Sequence, residues 1–376
     1  MRILVTGAAG LIGAELVGRL ADRGHSVIGL VRKSRTLDRN DRTPLITEPW
    51  TGVAPAGGRI AVLSGDVSQE RLGLCPARYE ALAGCLDLII HCAAVVGFSL
   101  DPEAYRAVNV GGARTVIALA EHGGAAAAAS GAPATPVLHV STAYVCGERS
   151  GAIGEDELDV GQSFANGYES SKAEAERLML QAGRRGVPVA IARPSIVVGA
   201  WPDGAIRSFE NIYSMIRLFA QGQVRTLIAS PDATLDLVPI DHVCGGLVDI
   251  AERMRDAAGG TFHLVAERPL PVAQFTRLAG CYPQYEVPRL VTPASFEPGM
   301  IGDAERWLHD QVTLSFGSYL CRDPRFGAAN LAALSGRRCQ PTDALFLRRL
   351  VDHCIRAGFL RSGGARRSRS SEAALA

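Results

Sequence analysis

The chain has 376 residues, a length that suits one large domain or two linked domains. Hydrophobic residues make up 47% of it and charged residues 20%, so the chain can build a packed core and global disorder is excluded. Its 39 basic and 38 acidic residues give a net charge of +1, which excludes a strong electrostatic attraction of the whole chain to nucleic acid. Nucleic acid is therefore not expected as a partner.

Apolar runs and cysteines indicate whether the protein spans a membrane and in which compartment it is expected. No uninterrupted apolar run reaches the roughly 18 residues that a membrane span needs, so no span is expected. The sequence opens as a strand, MRILVTG, which predicts that no signal peptide precedes it. The nine cysteines are scattered without a C-x-x-C pair, a pattern typical of reduced thiols rather than of disulfides or a zinc site. We therefore expect a cytoplasmic protein that holds no metal ion.

Short apolar runs alternate with helical patterns over the first two-thirds of the chain. Strands are predicted at residues 2–6, 25–31, 59–63, 87–91, 137–140 and 187–192, and helices at 10–23, 103–121 and 166–184. This alternation, with β-branched residues running through the strands, is typical of a parallel sheet covered on both faces. Right-handed crossovers then predict an α/β fold with a doubly wound, Rossmann-type parallel sheet.

The alternation of strands and helices weakens in the last third of the chain. Residues 1–200 are predicted to form the sheet domain, with loop insertions at 36–58 and 123–136. Residues 201–360 are predicted to form a smaller, mostly helical substrate-binding lobe with some segments returning to the sheet, and its helices are expected at 206–221, 303–320 and 342–357. The basic stretch 361–376 is expected to be a disordered tail.

A glycine-rich turn connects the first predicted strand to the first helix. The sequence TGAAGLIG at residues 6–13 places three glycines at intervals of three, in the strand–turn–helix setting that a dinucleotide-binding turn requires. Glycine leaves no Cβ between the backbone and a pyrophosphate, and the helix N-terminus offers free N–H groups to it. The candidate cofactor contacts in this turn are Gly7, Ala9, Gly10, Leu11, Ile12 and Gly13.

The end of the second predicted strand favours NADP(H) over NAD(H) as the cofactor. An NAD site carries an Asp or Glu there for the ribose 2′-hydroxyl, whereas this chain has Arg32 and Arg35, whose guanidinium groups suit a 2′-phosphate. Residues 1–200 are therefore predicted to be an NADP-binding domain. Further candidate contacts, to the adenine and where the cofactor crosses the sheet edge, follow the third and fourth strands: Asp66, Val67, Ala93 and Ala94.

A hydroxyl residue, a tyrosine and a lysine form the candidate catalytic group. Ser141 and Thr142 end the fifth strand, and Tyr168 and Lys172 lie four residues apart on the following helix, where they share one face. A carbonyl that receives a hydride needs a proton, which Tyr168 can donate. The pKa of an isolated tyrosine is about 10, and we expect the Lys172 ammonium to lower it. Thr142, or Ser141, is expected to polarise the substrate oxygen.

With these motifs in place, the sequence resembles the extended short-chain dehydrogenase/reductase superfamily over the sheet domain and the first part of the lobe. The resemblance narrows to the branch of fatty acyl-CoA reductases, male-sterility-type proteins and thioester reductase domains. The segments that narrow it are GDVSQERLGL (65–74), IIHCAAVVGFSL (89–100), AVNVGG (107–112), HVSTAYVCG (139–147), YESSKAEAE (168–176) and ARPSIVVG (192–199).

The resemblance implies roles for individual residues of this chain. It implies a catalytic triad of Thr142, Tyr168 and Lys172, and the place of Thr142 in the motif favours it over Ser141. It implies that Asn109 supports the helix and a proton-relay water. It also implies NADPH contacts in the glycine turn and at Arg32, Asp66, Val67, Ala93 and Lys172, with the nicotinamide end held by Pro194, Ser195 and Ile196.

The leading hypothesis is an NADPH-dependent reductase that transfers hydride to a carbonyl, either of an acyl thioester, which gives an aldehyde, or of a ketone or aldehyde. No adenylation or carrier domain is evident, so a stand-alone enzyme is expected. One alternative is a sugar-nucleotide or sterol-type dehydrogenase or epimerase, and one of another class is a non-catalytic protein that senses NADP(H). The helices at 103–121 and 166–184 are candidates for pairing two subunits in a homodimer.

Overall fold

The computed structural model describes residues 1–33, 36–97, 101–128 and 134–362. Arg35, a predicted cofactor contact, and residues 363–376 of the predicted tail lie outside these described residues. The strands of the described chain are β1 (Arg2–Thr6), β2 (Ser26–Val31), β3 (Glu48–Pro49), β4 (Ile60–Ser64), β5 (Leu88–His91), β6 (Val137–Val140), β7 (Gly151–Ile153), β8 (Val189–Pro194), β9 (Ile196–Val198), β10 (Thr226–Ile228), β11 (Thr234–Leu235), β12 (Leu237–Pro239), β13 (Thr261–Leu264), β14 (Leu270–Pro271), β15 (Arg289–Val291) and β16 (Pro324–Phe326).

Helices connect the strands and build most of the C-terminal part. They are α1 (Leu11–Asp22), α2 (Pro76–Ala83), α3 (Pro102–Tyr105), α4 (Gly111–Ala128), α5 (Gly167–Arg184), α6 (Ile212–Ala220), α7 (Ile240–Glu252), α8 (Met254–Ala257), α9 (Val272–Arg277), α10 (Asp303–Phe316), α11 (Ala329–Ser335) and α12 (Ala344–Arg356). No helix in the described ranges is both long enough and apolar enough to span a membrane.

One large parallel sheet organises the molecule. Its eight strands run in the order β13-β8-β6-β5-β1-β2-β4-β3, and every neighbouring pair is parallel. The order reverses at β1, which lies between β2 and β5, so the carboxyl ends of β1 and β5 open a crevice where ligands bind in such sheets. The predicted α/β fold with a doubly wound parallel sheet is confirmed.

Helices cover both faces of the sheet, which explains why its strands are apolar along their whole length. Ile3 and Val5 of β1 point into a core shared with α1, α7 and α11, here called the α1-side core. Leu4 between them points into a core shared with α2, α4 and α5, here called the α5-side core. All three side chains are completely buried, as strand alternation between two covered faces requires.

A third core lies in the C-terminal part of the chain and is here called the lobe core. It is built mainly by α6, α9, α10 and α12, together with side chains from β10, β11 and β12. Two-stranded ribbons link this part internally, β10 with β15 and β11 with β14, whereas β12 pairs with β9 directly after the large sheet. The lobe core therefore sits over the carboxyl ends of the sheet strands.

The structure corrects several predicted boundaries. The helix predicted at 206–221 begins only at Ile212, because Asn211 before it has a φ of +52° that is incompatible with a helix. The helix predicted at 103–121 is α3, a π turn at Arg106–Val110 and α4, which continues to Ala128. Part of the loop predicted at 123–136 is thus helical, since alanine is the strongest helix former.

The predicted loop insertion at 36–58 is more closely packed than a surface loop. It supplies β3, which pairs with β4 at the edge of the sheet. Leu37 and Trp50 are 1% and 4% exposed, so their side chains cover apolar surface beside the sheet. This segment closes the edge that β4 would otherwise leave unpaired.

Candidate functional site

A cleft of about 520 Å³ opens at the carboxyl ends of the sheet strands, between the sheet and the lobe core. The glycine turn after β1 forms one side, and the residues that follow β5, β6 and β8 form its floor. The start of α6 and the end of α10 form the lobe side. Because this is the switch point of the sheet, it is the expected place for a nucleotide.

The structure requires glycine at Gly7 and Gly13 of the turn for different reasons, and it leaves Gly10 open to the cleft. Gly7 has a φ of +67°, and a Cβ there would come within 2.8 Å of the Ala93 backbone. A Cβ at Gly13 would collide with the Gly7 carbonyl oxygen. Gly10 is exposed, and a Cβ on it would have only that same oxygen within 4 Å, so its other sides face open space.

The turn therefore fits a dinucleotide phosphate. Gly10 is the extended N-cap of α1 and has no side chain that could cap the helix, which leaves N–H groups of the first turn without a side-chain partner. Those groups and the helix dipole favour an anion. Leu11 and Ile12, which begin the helix, line the cleft beside it.

Most predicted cofactor contacts line the cleft, and a few do not. Those that line it are Gly7, Ala9, Gly10, Leu11, Ile12, Gly13, Ala94, Pro194, Ser195 and Ile196. Ala93 instead packs its backbone against Gly7 and donates its N–H to the Thr6 hydroxyl at 3.2 Å. Arg32 is exposed at the end of β2, and Val67 is buried beside Gly112. Asp66 accepts hydrogen bonds from the backbone and hydroxyl of Ser68 at 2.9 and 2.8 Å.

Thr142 and Tyr168 meet at the floor of the cleft. Thr142 follows β6, and its hydroxyl accepts a hydrogen bond from the Tyr144 backbone at 3.3 Å, which caps the short 3₁₀ helix Ala143–Cys146. Tyr168 lies in the first turn of α5, which begins where the Asn166 side chain accepts from the Glu169 N–H at 2.9 Å. Both residues line the cleft, and the Thr142 hydroxyl is close enough to the phenol of Tyr168 to affect its pKa.

The ionisation of Tyr168 differs from the sequence-based expectation. Burial raises the pKa of Tyr168 to about 12, although the nearby Thr142 hydroxyl acts in the opposite direction. Lys172 does not contact the phenol; its Nζ donates to the Val140 carbonyl oxygen at 2.8 Å. The prediction that Lys172 lowers the pKa of Tyr168 is therefore wrong for this structure.

Lys172 occupies a fully buried position behind the cleft floor. It is 1% exposed, and burial lowers its pKa to about 8. The histidines His91 and His139 lie in the same buried region, and their pKa values are lowered by burial and by the charge of Lys172. The lysine is thus the cation of this region, and the two histidines are neutral at physiological pH.

Asn109 lies outside the cleft and connects two elements around it. It sits in the π turn, completely buried, and its amide group bonds both backbone groups of Val95. Its Nδ2 also donates to the Ser171 hydroxyl at 2.9 Å, one residue before Lys172. Asn109 therefore holds the segment after β5 against α5, and its supporting role in the reaction stays a prediction.

Ser141 and Thr142 differ in their surroundings although both line the cleft. The Ser141 hydroxyl is buried and has no hydrogen-bond partner among the described residues. Of the two, Thr142 is the one whose hydroxyl lowers the pKa of Tyr168. The arrangement favours Thr142 as the partner of the tyrosine and leaves Ser141 with a free donor beside it.

Sequence reasoning missed several residues that line the cleft or lie directly behind it. Asp236 accepts a hydrogen bond from the Ser195 hydroxyl at 2.5 Å, and burial raises the pKa of Asp236 to about 6. The lobe side is mainly apolar and aromatic and is lined by Met215, Leu235, Phe316, Tyr319 and Leu320. The predicted lobe helix at 206–221 was the one available signal, since Ile206 and Tyr213 from that range line the cleft.

Metal-binding side chains do not converge here. Within the described ranges, no three His, Cys, Asp or Glu side chains are arranged so that they could hold a metal ion.

Comparisons with known proteins agree with this architecture. The chain is 32% identical over 269 residues to Glycine betaine reductase ATRR of Emericella nidulans, a match that covers 67% of this chain and 20% of that protein. It is 29% identical over 307 residues to the 3 beta-hydroxysteroid dehydrogenase/Delta 5-->4-isomerase of Mycobacterium tuberculosis, covering 78% of this chain and 73% of that one. The chain thus spans about a fifth of the length of the first of these relatives.

A structural comparison and a family profile point to one protein family. The terminal R domain from the myxalamid PKS-NRPS biosynthetic pathway superimposes with a TM-score of 0.75 at 26% identity, covering 96% of this chain and 91% of that domain. The profile of an NAD-binding family described as "Male sterility protein" matches residues 5–247. Because this match spans more than half of the chain, the protein belongs to the male sterility family of the extended short-chain dehydrogenase/reductases, which are oxidoreductases that bind a nicotinamide nucleotide.

Proposed function

We propose that the protein is an NADPH-dependent reductase that converts an acyl thioester to an aldehyde. The observation that carries this proposal is the position of Thr142 and Tyr168 as neighbours in the lining of the cleft, opposite the glycine turn. The similarity to a terminal R domain over nearly the whole chain supports a thioester as the substrate. The apolar lobe side of the cleft suits an acyl group.

The two hydroxyls have complementary tasks in this reaction. The nicotinamide, when bound, supplies the hydride that forms the new C–H bond at the carbonyl carbon. Thr142 donates a hydrogen bond to the carbonyl oxygen and stabilises the negative charge that develops there. Tyr168 gives its proton to that oxygen, and its raised pKa keeps it protonated and ready at neutral pH. With a thioester the product is a hemithioacetal, whose C–S bond then breaks to release a thiol and the aldehyde.

Lys172 and Asn109 act on these hydroxyls indirectly. Lys172 holds the end of β6 through the Val140 carbonyl, two residues before Thr142. Asn109 fixes α5 through Ser171, so that the tyrosine and lysine keep their relative positions.

NADPH rather than NADH is proposed as the cofactor. Arg32 follows β2 directly and is exposed, so its guanidinium is free to approach a phosphate. The sequence that follows β2, RKSRT, contains no carboxylate, whereas an NAD site would carry one there.

A cytoplasmic location is also proposed for the protein, since all nine cysteines lie in the described ranges and are free thiols.

A second candidate function is favoured by one specific comparison. The sequence of the mycobacterial hydroxysteroid dehydrogenase is similar to this chain over most of both lengths. The same hydroxyl pair could then act on a sterol-type ketone or alcohol. The two candidates differ in whether the substrate carries a thiol leaving group, so the released thiol distinguishes them.

Replacing Tyr168 by Phe tests the proposal directly. We expect Tyr168→Phe to lower the rate of NADPH oxidation with an acyl-CoA by about 10²- to 10⁴-fold, because the proton donor is lost. NADPH consumption is followed by absorbance, and thiol release is measured in parallel with acyl-CoA and with a ketosteroid.

Tyr79→Phe is the matched control, since it removes the hydroxyl of a tyrosine on α2 whose ring is packed in the α5-side core. It should keep wild-type turnover. A Tyr168→Phe variant that keeps full turnover would exclude the tyrosine as proton donor, and turnover with the ketosteroid alone would select the second candidate.

A further inference from the structure

Arg207 connects the lobe side of the cleft to the glycine turn. It lies in the irregular segment between β9 and α6 and is half-buried, with its side chain lining the cleft. One guanidinium nitrogen donates to the Ala9 carbonyl oxygen at 3.0 Å, and the other donates to the Asp38 carbonyl oxygen at 3.0 Å. The guanidinium therefore bridges the glycine turn and the segment that follows β2.

A buried asparagine fixes this position. The Asn40 side chain accepts a hydrogen bond from the Arg207 backbone at 3.1 Å and donates to the Ala205 carbonyl oxygen at 2.5 Å. The Asn40 backbone in turn donates to the Glu15 carboxylate of α1 at 3.0 Å. Arg207 is thus placed by a network and does not merely reach across the cleft as a mobile surface side chain.

The charge of Arg207 is not compensated within the described residues. It is the one Lys or Arg side chain that lines the cleft there, and the oxygens it bonds are neutral backbone carbonyls. Glu210, which also lines the cleft, instead accepts a hydrogen bond from Ser208. A guanidinium carries five N–H donors, so several remain for a further acceptor.

We propose that Arg207 binds the 2′-phosphate of NADPH and so contributes to the choice of cofactor. In this fold the adenosine ribose lies between the glycine turn and the end of the second strand. Ala8 and Leu30 bring those two segments together, with a backbone hydrogen bond of 3.4 Å. Arg207 bonds Ala9, which follows Ala8, and Asp38, which lies farther along the segment after Leu30. This inference rests on the proposed NADPH-linked function.

The other arginines near β2 explain why a cation from the lobe is needed. Arg39 forms an ion pair with Asp22 at 2.6 Å and is thereby turned toward α1. Arg32 is exposed and is not held by any ion pair in the described part of the chain. Arg207 therefore supplies the fixed guanidinium, and Arg32 supplies a second one from the open side.

Direct binding measurements separate this role from catalysis. Dissociation constants of NADP⁺, NAD⁺ and adenosine 2′,5′-bisphosphate are measured by calorimetry for the wild type and for Arg207→Gln and Arg207→Lys. We expect Arg207→Gln to bind NADP⁺ and the bisphosphate about 10- to 100-fold more weakly and to bind NAD⁺ as the wild type does. Arg207→Lys should retain part of the NADP⁺ affinity, because it keeps the charge but loses the planar donor group.

Arg217→Ala is the control, since Arg217 is exposed on α6 and lies over the Phe359 ring. Its affinities should equal those of the wild type. If Arg207→Gln weakens NADP⁺ and NAD⁺ equally, or weakens neither, Arg207 does not read the 2′-phosphate and the inference is overturned. A wild-type protein that binds neither dinucleotide would overturn the proposed function as well, so the two failures are distinguishable.

Discussion

Lys172 is one of only two lysines in a chain that uses arginine for almost all of its 39 basic residues. Arginine stays charged wherever it is placed, whereas the charge of a buried lysine responds to its surroundings. Here burial lowers the pKa of Lys172 to about 8, close to physiological pH. A lysine at this position therefore provides a cation whose proton can be lost, beside a tyrosine that burial keeps protonated.

The ionisation of Lys172 should make the free energy of unfolding depend on pH. Its folded-state pKa of about 8 lies below its ordinary value of 10.5, so the unfolded chain binds more protons between these two pH values. The contribution of Lys172 to the free energy of unfolding therefore rises with pH through that window. We expect the wild type to gain about 3 kcal/mol relative to Lys172→Met between pH 8 and pH 10.5, measured by urea unfolding.

The exposed Lys33 provides the matched control, and Lys33→Met should track the wild type at every pH. A difference between wild type and Lys172→Met that stays constant across the window would show that Lys172 is not destabilised by its burial.

At the scale of elements, a buried arginine ties the first turn of α5 to the lobe. Arg322 is 3% exposed and bonds the Glu169 carboxylate at 2.6 Å, one residue after Tyr168. Its guanidinium also lies 4.4 Å from the ring centre of Tyr319, which lines the cleft. The position of Tyr168 thus depends on packing between α5 and a segment about 150 residues later.

Breaking this pair should affect catalysis as well as stability. Arg322→Met leaves the buried Glu169 carboxylate without its partner and should lower the free energy of unfolding by about 3–5 kcal/mol. It should also lower kcat by about 10- to 100-fold, because Tyr168 loses its fixed position. Thermal unfolding and steady-state kinetics measure the two effects, and Arg322→Lys should recover part of the kcat.

The comparison variant is Arg193→Met, which breaks the similarly buried pair of Arg193 and Glu176 farther along α5. It should be destabilised to a similar degree but should keep most of its kcat. Equal losses of kcat in the two variants would mean that Arg322 acts only through overall stability.

Local patterns made the sheet and much of the site predictable. Each of these patterns spans fewer than ten residues: the glycine turn, the strand ends and the Tyr168–Lys172 spacing. Over such short segments, periodicity and backbone chemistry determine the local structure. The start of α6 and the extension of α4 were not predicted, since one depends on the positive φ of Asn211 and the other on an alanine run that also occurs in loops. Arg207 and Arg322 were missed because their roles come from contacts made far along the chain.

At the scale of the whole molecule, the floor of the cleft is a wall shared by two cores. Leu11 packs against the lobe core, whereas its neighbour Ile12 packs against the α1-side core. The same division recurs after β8, where Ile196 packs against the lobe core and Val197 against the α1-side core. Neither core can lose its packing without exposing residues adjacent to the nucleotide turn.

This shared wall predicts that the sheet and the lobe unfold together. Two tryptophans report the two regions: Trp50 is buried in the α5-side core, and Trp201 packs against the lobe core. With the exposed Trp307 replaced by Phe, removal of either remaining tryptophan isolates the signal of the other. Both signals should change at the same urea concentration, although chains of this size often unfold in steps.

The proposed nucleotide site gives this prediction a second test, because it lies where the two cores meet. NADP⁺ at about 100 times its dissociation constant should stabilise the folded state by about 2.7 kcal/mol and should shift the Trp50 and Trp201 transitions equally. A Trp201 transition at lower urea that does not move with NADP⁺ would contradict the shared wall, since the lobe would then unfold independently of the cleft. Coincident transitions that move together would place the substrate side and the cofactor side of the cleft in one cooperative unit.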